Sequence, residues 1–227
     1  MRERIRSQVR RLPALALAAL AAISSTACSL GQGEGEVKSD NLIARDCWAG
    51  AYDMQPNFFA AVPYRETLQI RVQRGTDLQE VSDGLSILLD DVPQVRKKIA
   101  EAGRGRFKVA LPPGVQPPGS PVPETEPGET APLVHMSLYL QQSCHNQNTV
   151  LYGVSGQITF TELFSGDPNE EAASEKYTDA SFDVMVGDPR DVELGAPAEE
   201  VPPELQSRVT GHFRFYFERG QPGQPFP

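Results

Sequence analysis

Histidine, tryptophan and cysteine are all scarce: the 227 residues hold three His, one Trp and three Cys. A zinc centre needs three or four ligands converging at about 2 Å. His135, His145 and His212 stand far apart with no ligand spacing around them, so they are read as solvated side chains and no metal or other cofactor is expected. The Gly-x-Ser-x-Gly of a nucleophile elbow is missing too. Gly153-Val154-Ser155-Gly156 comes nearest, but Gln157 stands where the last Gly is required, and the segment reads as strand instead of strand-turn-helix. Cys144 and His145 are adjacent, and sequence neighbours rarely point at each other, so they make a poor nucleophile and base. Basic residues are outnumbered, 21 Lys and Arg against 30 Asp and Glu, and the formal charge of −9 disfavours nucleic acid as a partner. No catalytic residue is expected.

Acidic loops are present, and calcium takes oxygen ligands from such loops. Asp167-Pro168-Asn169-Glu170-Glu171 and Asp188-Pro189-Arg190-Asp191 nevertheless lack the spaced acidic pattern of an EF-hand. They are read as solvated turns.

The chain opens with Arg2, Arg4, Arg6, Arg10 and Arg11, followed by an Ala/Leu-rich run from Leu12 to Ile23 and then Ser24-Ser25-Thr26-Ala27 before Cys28. The apolar run is short of the about 20 residues a spanning helix needs, and the order of a basic head, an apolar stretch and small residues is that of an export signal. Residues 1–27 are thus expected to be a signal peptide. Thr26-Ala27-Cys28 resembles the lipobox of bacterial lipoproteins, with Ser25 where that family usually carries Leu, Val or Ile. The resemblance is confined to the leader. It implies cleavage before Cys28, acylation of that Cys, and a membrane anchor there. Ser29 is not the Asp that marks inner-membrane retention in that family, which implies the outer membrane of a Gram-negative cell. The same small residues also suit an ordinary signal peptidase.

Counting cysteines helps to choose. An ordinary cut leaves three Cys in an oxidising compartment and hence one free thiol, whereas acylation of Cys28 leaves Cys47 and Cys144 as a disulfide pair. Residues 1–27 hold five Arg and one Glu, so the part beyond them carries −13 against −9 for the whole chain. Such a surface is repelled by anionic head groups, and the acyl chains must do the anchoring.

Beyond Cys28, residues 28–40 have almost nothing to bury and are expected to form a flexible tether. Residues 41–219 are taken as one domain, interrupted at 112–132 by a Pro- and Gly-rich loop and again by an acidic loop at about 188–206; residues 220–227 form a Pro/Gly-rich tail.

Within the domain the hydrophobic period is two. Leu68, Ile70 and Val72 alternate with Gln69, Arg71 and Gln73; Phe107, Val109 and Leu111 follow the same rule, as do Val134, Met136, Leu138 and Leu140. Val154, Gly156, Ile158 and Phe160, then Phe182, Val184 and Val186, then Phe213, Phe215 and Phe217 continue it, and Leu85, Ile87 and Leu89 form a shorter run. One segment departs: Val92, Val95, Ile99 and Ala102 repeat with helical spacing between a capping Asp91 and a terminating Gly103. About seven to eight one-sided strands without repeated crossover helices predict a mainly β fold, an antiparallel β-sandwich with one short helix.

Two surfaces stand out. The polar positions of the strands carry His212, Arg214, Tyr216 and Glu218 in one place and Tyr139 with Gln141, or Arg71 with Gln69 and Gln73, in others. The segment Met54–Tyr64 holds Phe58 and Phe59 between Pro56 and Pro63, and two adjacent Phe cannot both face the core of a regular strand; packing of the second ring under the loop is expected over an exposed contact. The expected function is a non-catalytic envelope lipoprotein that binds a protein partner or supports an assembly. A small-ligand or glycan module is the alternative, and a hydrolase a more distant one.

Overall fold

The computed structural model describes residues 33–75, 82–111, 133–145, 147, 149–191 and 201–218. The signal peptide, Cys28, the 112–132 loop and the 220–227 tail lie outside the described residues. The strands are β1 (Gly33–Ala44), β2 (Trp48–Met54), β3 (Phe58–Tyr64), β4 (Thr67–Gln73), β5 (Asp83–Leu89), β6 (Gly105–Lys108), β7 (Val134–Leu140), β8 (Val150–Glu162), β9 (Tyr177–Gly187) and β10 (Ser207–Tyr216). Helices α1 (Val92–Ala102) and α2 (Ala173–Lys176) interrupt them.

The fold is mainly β and its paired strands are antiparallel, as the alternation predicts. The strands nevertheless join one sheet of ten, in the order β2-β1-β10-β9-β8-β7-β5-β4-β3 with β6 also on β8, curled into a half-barrel. Chain connectivity explains the curl. β2 and β3 are the two ends of that order, yet only Gln55, Pro56 and Asn57 separate them, so the opposite edges cannot be more than about 14 Å apart there. Phe59 of β3 reaches across to stack on Phe215 of β10, with ring centroids 5.9 Å apart. The concave side holds the core, with Val37, Leu68, Ile70, Ile87, Met136, Leu138, Ile158 and Phe213 all at 1% exposure or less.

The expected tether is shorter than its composition implied, because residues 33–40 belong to β1, paired on one side to β10 and on the other to β2. A segment with little to bury still forms a strand when its neighbours supply the rings. A Cβ on Gly33 would stand 2.7 Å from both Phe215 Cβ and Phe59 Cδ2, so the missing side chain is the space those rings occupy.

In Met54–Tyr64 the packing expected of the paired Phe is seen, and it takes in both rings. Phe58 and Phe59 are both buried in β3, and they do point to opposite faces; the convex face of this part of the sheet is buried as well. Arg71, Gln73 and Tyr139, expected on wet faces, are 2%, 0% and 4% exposed. The Tyr139 hydroxyl donates to Gln73 Oε1 at 2.8 Å and accepts from Arg71 Nη2 at 3.3 Å. Burial, more than any neighbouring charge, pushes the Tyr139 phenol above its usual pKa. Tyr139 lies over its register partner Gly84, where a Cβ would stand 2.3 Å from the phenol oxygen. Glycine on one strand and an aromatic on the next close a face that alternation alone marks as polar. His135 shares that face and is 5% exposed, not solvated: Nδ1 lies 2.9 Å from the Ala110 carbonyl oxygen and Nε2 3.2 Å from Asp90 Oδ2.

The helix forms as its sequence predicts. Asp91 accepts from the Gln94 backbone N–H at 2.8 Å, Pro93 sits in the first turn, Val92 and Val95 are buried, and Gly103 ends α1 at φ 70°.

One end of the half-barrel is stapled. Cys47, in the β1–β2 turn, is bonded to Cys144, in the turn after β7, with Cα atoms 5.7 Å apart. Beside it Asp83, 1% exposed, accepts from the backbone N–H groups of Gln142 and Ser143 at 2.9 and 3.0 Å, from the Ser143 hydroxyl, and from Tyr52 at 3.4 Å. Burial first, and then the Asp83 charge, pushes the Tyr52 phenol far above its usual range. Asp83→Ala leaves those turn donors without their carboxylate and is expected to cost about 2–4 kcal/mol, while Asp83→Asn, which keeps one acceptor oxygen, costs less than half of that. Urea unfolding of the two variants checks it; equal and small losses would show that the turn does not depend on this carboxylate.

Candidate binding cleft

β8 is long enough to carry two neighbours along one edge. β7 pairs with it at Val150, Leu151 and Tyr152, and β6 pairs with it from Gln157 to Phe160. Between these pairings the sheet forks. A bulge shifts the register between Gly153 and Ser155, and Gly156 follows at φ 101°. Only glycine suits that position, since a Cβ there would stand 2.4 Å from the Asp183 carbonyl oxygen. The bulge also explains why the simple alternation 154-156-158-160 breaks: Leu151, Ile158 and Phe160 are fully buried, while Val154 is half-buried and Gly156 is exposed.

On the convex side of the fork lies an open cleft of about 560 Å³ lined by Arg106, Lys108, Gly156, Gln157, Asp183, Val184, Met185 and Arg208. Register builds it. Lys108 is the partner of Gln157 and Gln157 of Asp183, a row across β6, β8 and β9; Arg208 of β10 faces Met185, two residues along β9 on the same face. Arg208 grips Asp183 with both arms of its guanidinium, Nε to Oδ1 at 2.8 Å and Nη2 to Oδ2 at 2.7 Å. These hydrogen bonds hold the Asp183 carboxyl below its usual pKa against a small opposing effect of burial. Arg106 and Lys108 are exposed and make no ion pair among the described residues. Among the residues that line the cleft three cations stand against one carboxylate, in a chain whose formal charge is −9. Two free cations beside a pre-oriented guanidinium suit carboxylate groups, which Arg takes in fork geometry.

The other candidates from the sequence fall elsewhere. Cys144 is disulfide-bonded and is no nucleophile, and His145 beside it is exposed. Ser155 lies within β8, away from any strand-to-helix turn. In the first acidic loop Asp167 caps its own turn, accepting from the Asn169 backbone N–H at 2.8 Å. In the second, Asp188 is 3% exposed: burial opposes its ionisation, but hydrogen bonds from the Arg190 side chain and backbone hold its pKa below the usual range. Among the described residues no group of three His, Cys, Asp or Glu is placed to hold a metal ion. Arg214 pairs with Glu34 at 2.6 Å, and Tyr216 packs on Tyr177 with centroids 4.8 Å apart. No helix among the described residues is long and apolar enough to cross a membrane.

Sequence reasoning missed the cleft. Arg106 and Lys108 flank Phe107 at strand spacing, so their shared face was legible, but Arg208 lies a hundred residues on with nothing local to mark it. No protein-family model, curated protein or solved structure matches the chain, so the cleft is judged on its own residues.

Proposed function

We propose that the chain is a lipid-anchored, non-catalytic module of the bacterial cell envelope whose forked-sheet cleft takes an acidic segment of a protein partner. The leader, with Cys28 after small residues, supports the anchor, and an even remainder of two bonded cysteines agrees with it. The observation that carries the binding role is the cleft: Arg106, Lys108 and Arg208 gathered on one rigid sheet face of a chain that is otherwise acidic. Its openness favours an extended peptide over an engulfed small molecule, since small-ligand pockets enclose most of their ligand's surface.

The test is photocrosslinking in living cells with a photoreactive residue in place of Gln157. One dominant protein adduct is expected, and Arg106→Glu with Lys108→Glu is expected to reduce it about tenfold, because charge reversal at an interface turns attraction into repulsion. No adduct above that of an unrelated lipoprotein sinks the protein-partner reading, and acidic glycans then become the ligands to screen.

A further inference from the structure

We infer that the domain rests on its own membrane by the end where β1 begins and β10 finishes, with the Tyr177–Tyr216 ring pair at head-group level. This inference rests on the acylation of Cys28 proposed above. Residues 29–32 are all that separates that Cys from Gly33, the first residue of β1, so five residue steps set a maximum reach of about 18 Å. Gly33 is held in the sheet opposite Phe215, and the next pair along the neighbouring ladder is Tyr216 with Tyr177. A lipid at Cys28 therefore brings this end of the half-barrel to the bilayer and no other.

The chemistry at that end suits an interface between water and lipid. Tyr216 is 43% exposed, one of few large apolar-bodied side chains so placed among the described residues, and its ring packs on Tyr177. Phe164 and Phe217 stack behind it with centroids 4.0 Å apart, the latter 8% exposed. Tyrosine, with an apolar ring and a polar hydroxyl, concentrates at head-group depth. The loop from β8 to β9 ends here too, with Asp167, Glu170 and Glu171, and it is held to the basic helix α1 by the ion pair of Glu175 with Arg96. The arrangement also places the cleft. Arg106 shares a row with Ser181, four residues along β9 from Tyr177, Lys108 shares one with Asp183, six residues along, and Arg208 is eight residues along β10 from Tyr216, which spreads the cations about 13–26 Å along the strands from the ring pair.

The single Trp makes the test direct. Trp48 pairs with Ala44 at the far end of β1, about 35 Å from Gly33, and serves as an internal control. The acylated protein is reconstituted in phosphatidylethanolamine vesicles with and without brominated lipid, as wild type, as Tyr216→Trp, and as Tyr216→Trp with Trp48→Phe. The single replacement keeps Trp48 in place, so the reading does not depend on the double variant folding. Bromine is expected to quench the emission of the residue at 216 by more than half and to leave Trp48 unchanged. Protein that floats with the vesicles but shows no quenching at 216, or equal quenching at 48, overturns the assignment of this end while the anchor stands. An unacylated Cys28 by mass spectrometry, with no flotation, overturns the anchor and this inference with it.

Discussion

Replacing Cys47 and Cys144 together by Ser is expected to lower the unfolding free energy by about 4–5 kcal/mol and the melting temperature by about 10–20 °C. The two residues are 97 apart in sequence, so the bridge closes a long loop in the unfolded chain and removes much of its entropy. The position in the sheet adds to this. Cys47 follows β1, next to one edge, and Cys144 follows β7, four steps further along the strand order, so the bond ties the sheet across its concave mouth. Denaturant unfolding with and without reductant measures the loss. Non-reducing peptide mapping supplies the complement: free thiols at both positions in protein purified without reductant would remove the bridge from the fold's stability altogether.

Phe215→Ala carries the next largest expected loss, about 3–5 kcal/mol. Phe215 is 1% exposed, packs against Phe59 of the far edge and Phe213 of its own strand, and lies over the space left by Gly33. Truncation opens a cavity where the two ends of the sheet meet. The pairing itself is separable from simple burial by a double-mutant cycle with Phe59→Ala, for which a coupling of about 0.5–1.5 kcal/mol is expected. Strict additivity would show that the half-barrel is held closed by the backbone connection and the disulfide, with no specific help from this ring pair.

Local structure was legible wherever a residue's neighbours in sequence decide it. The helix from Val92 to Ala102 needed only an Asp to cap it, a 3.6-residue apolar spacing and a Gly to end it, all within a dozen positions. The Phe row of β10 needed only alternation. The strand β1 could not be found that way, because Gly33 and Gly35 are made useful by Phe59, Phe213 and Phe215, which lie far along the chain. Arg71 and Tyr139 were misplaced for a related reason: alternation separates two faces of a strand but does not say whether the second face is covered. The cleft fails both tests at once, being built from four strands around a bulge whose position only the forked pairing of β8 reveals.

By itself the sequence determined the mainly β antiparallel class, the capped helix and the identity of the bonded cysteines, because each depends on spacing, composition or count along the chain. Only the tertiary structure decided that the strands form one curled sheet instead of two stacked ones, that residues 33–40 of the supposed tether belong to its first strand, and that Arg106, Lys108 and Arg208 meet. These depend on which distant segments pair, and that choice is made by ring packing across the concave face and by a three-residue link that brings opposite edges of one sheet together.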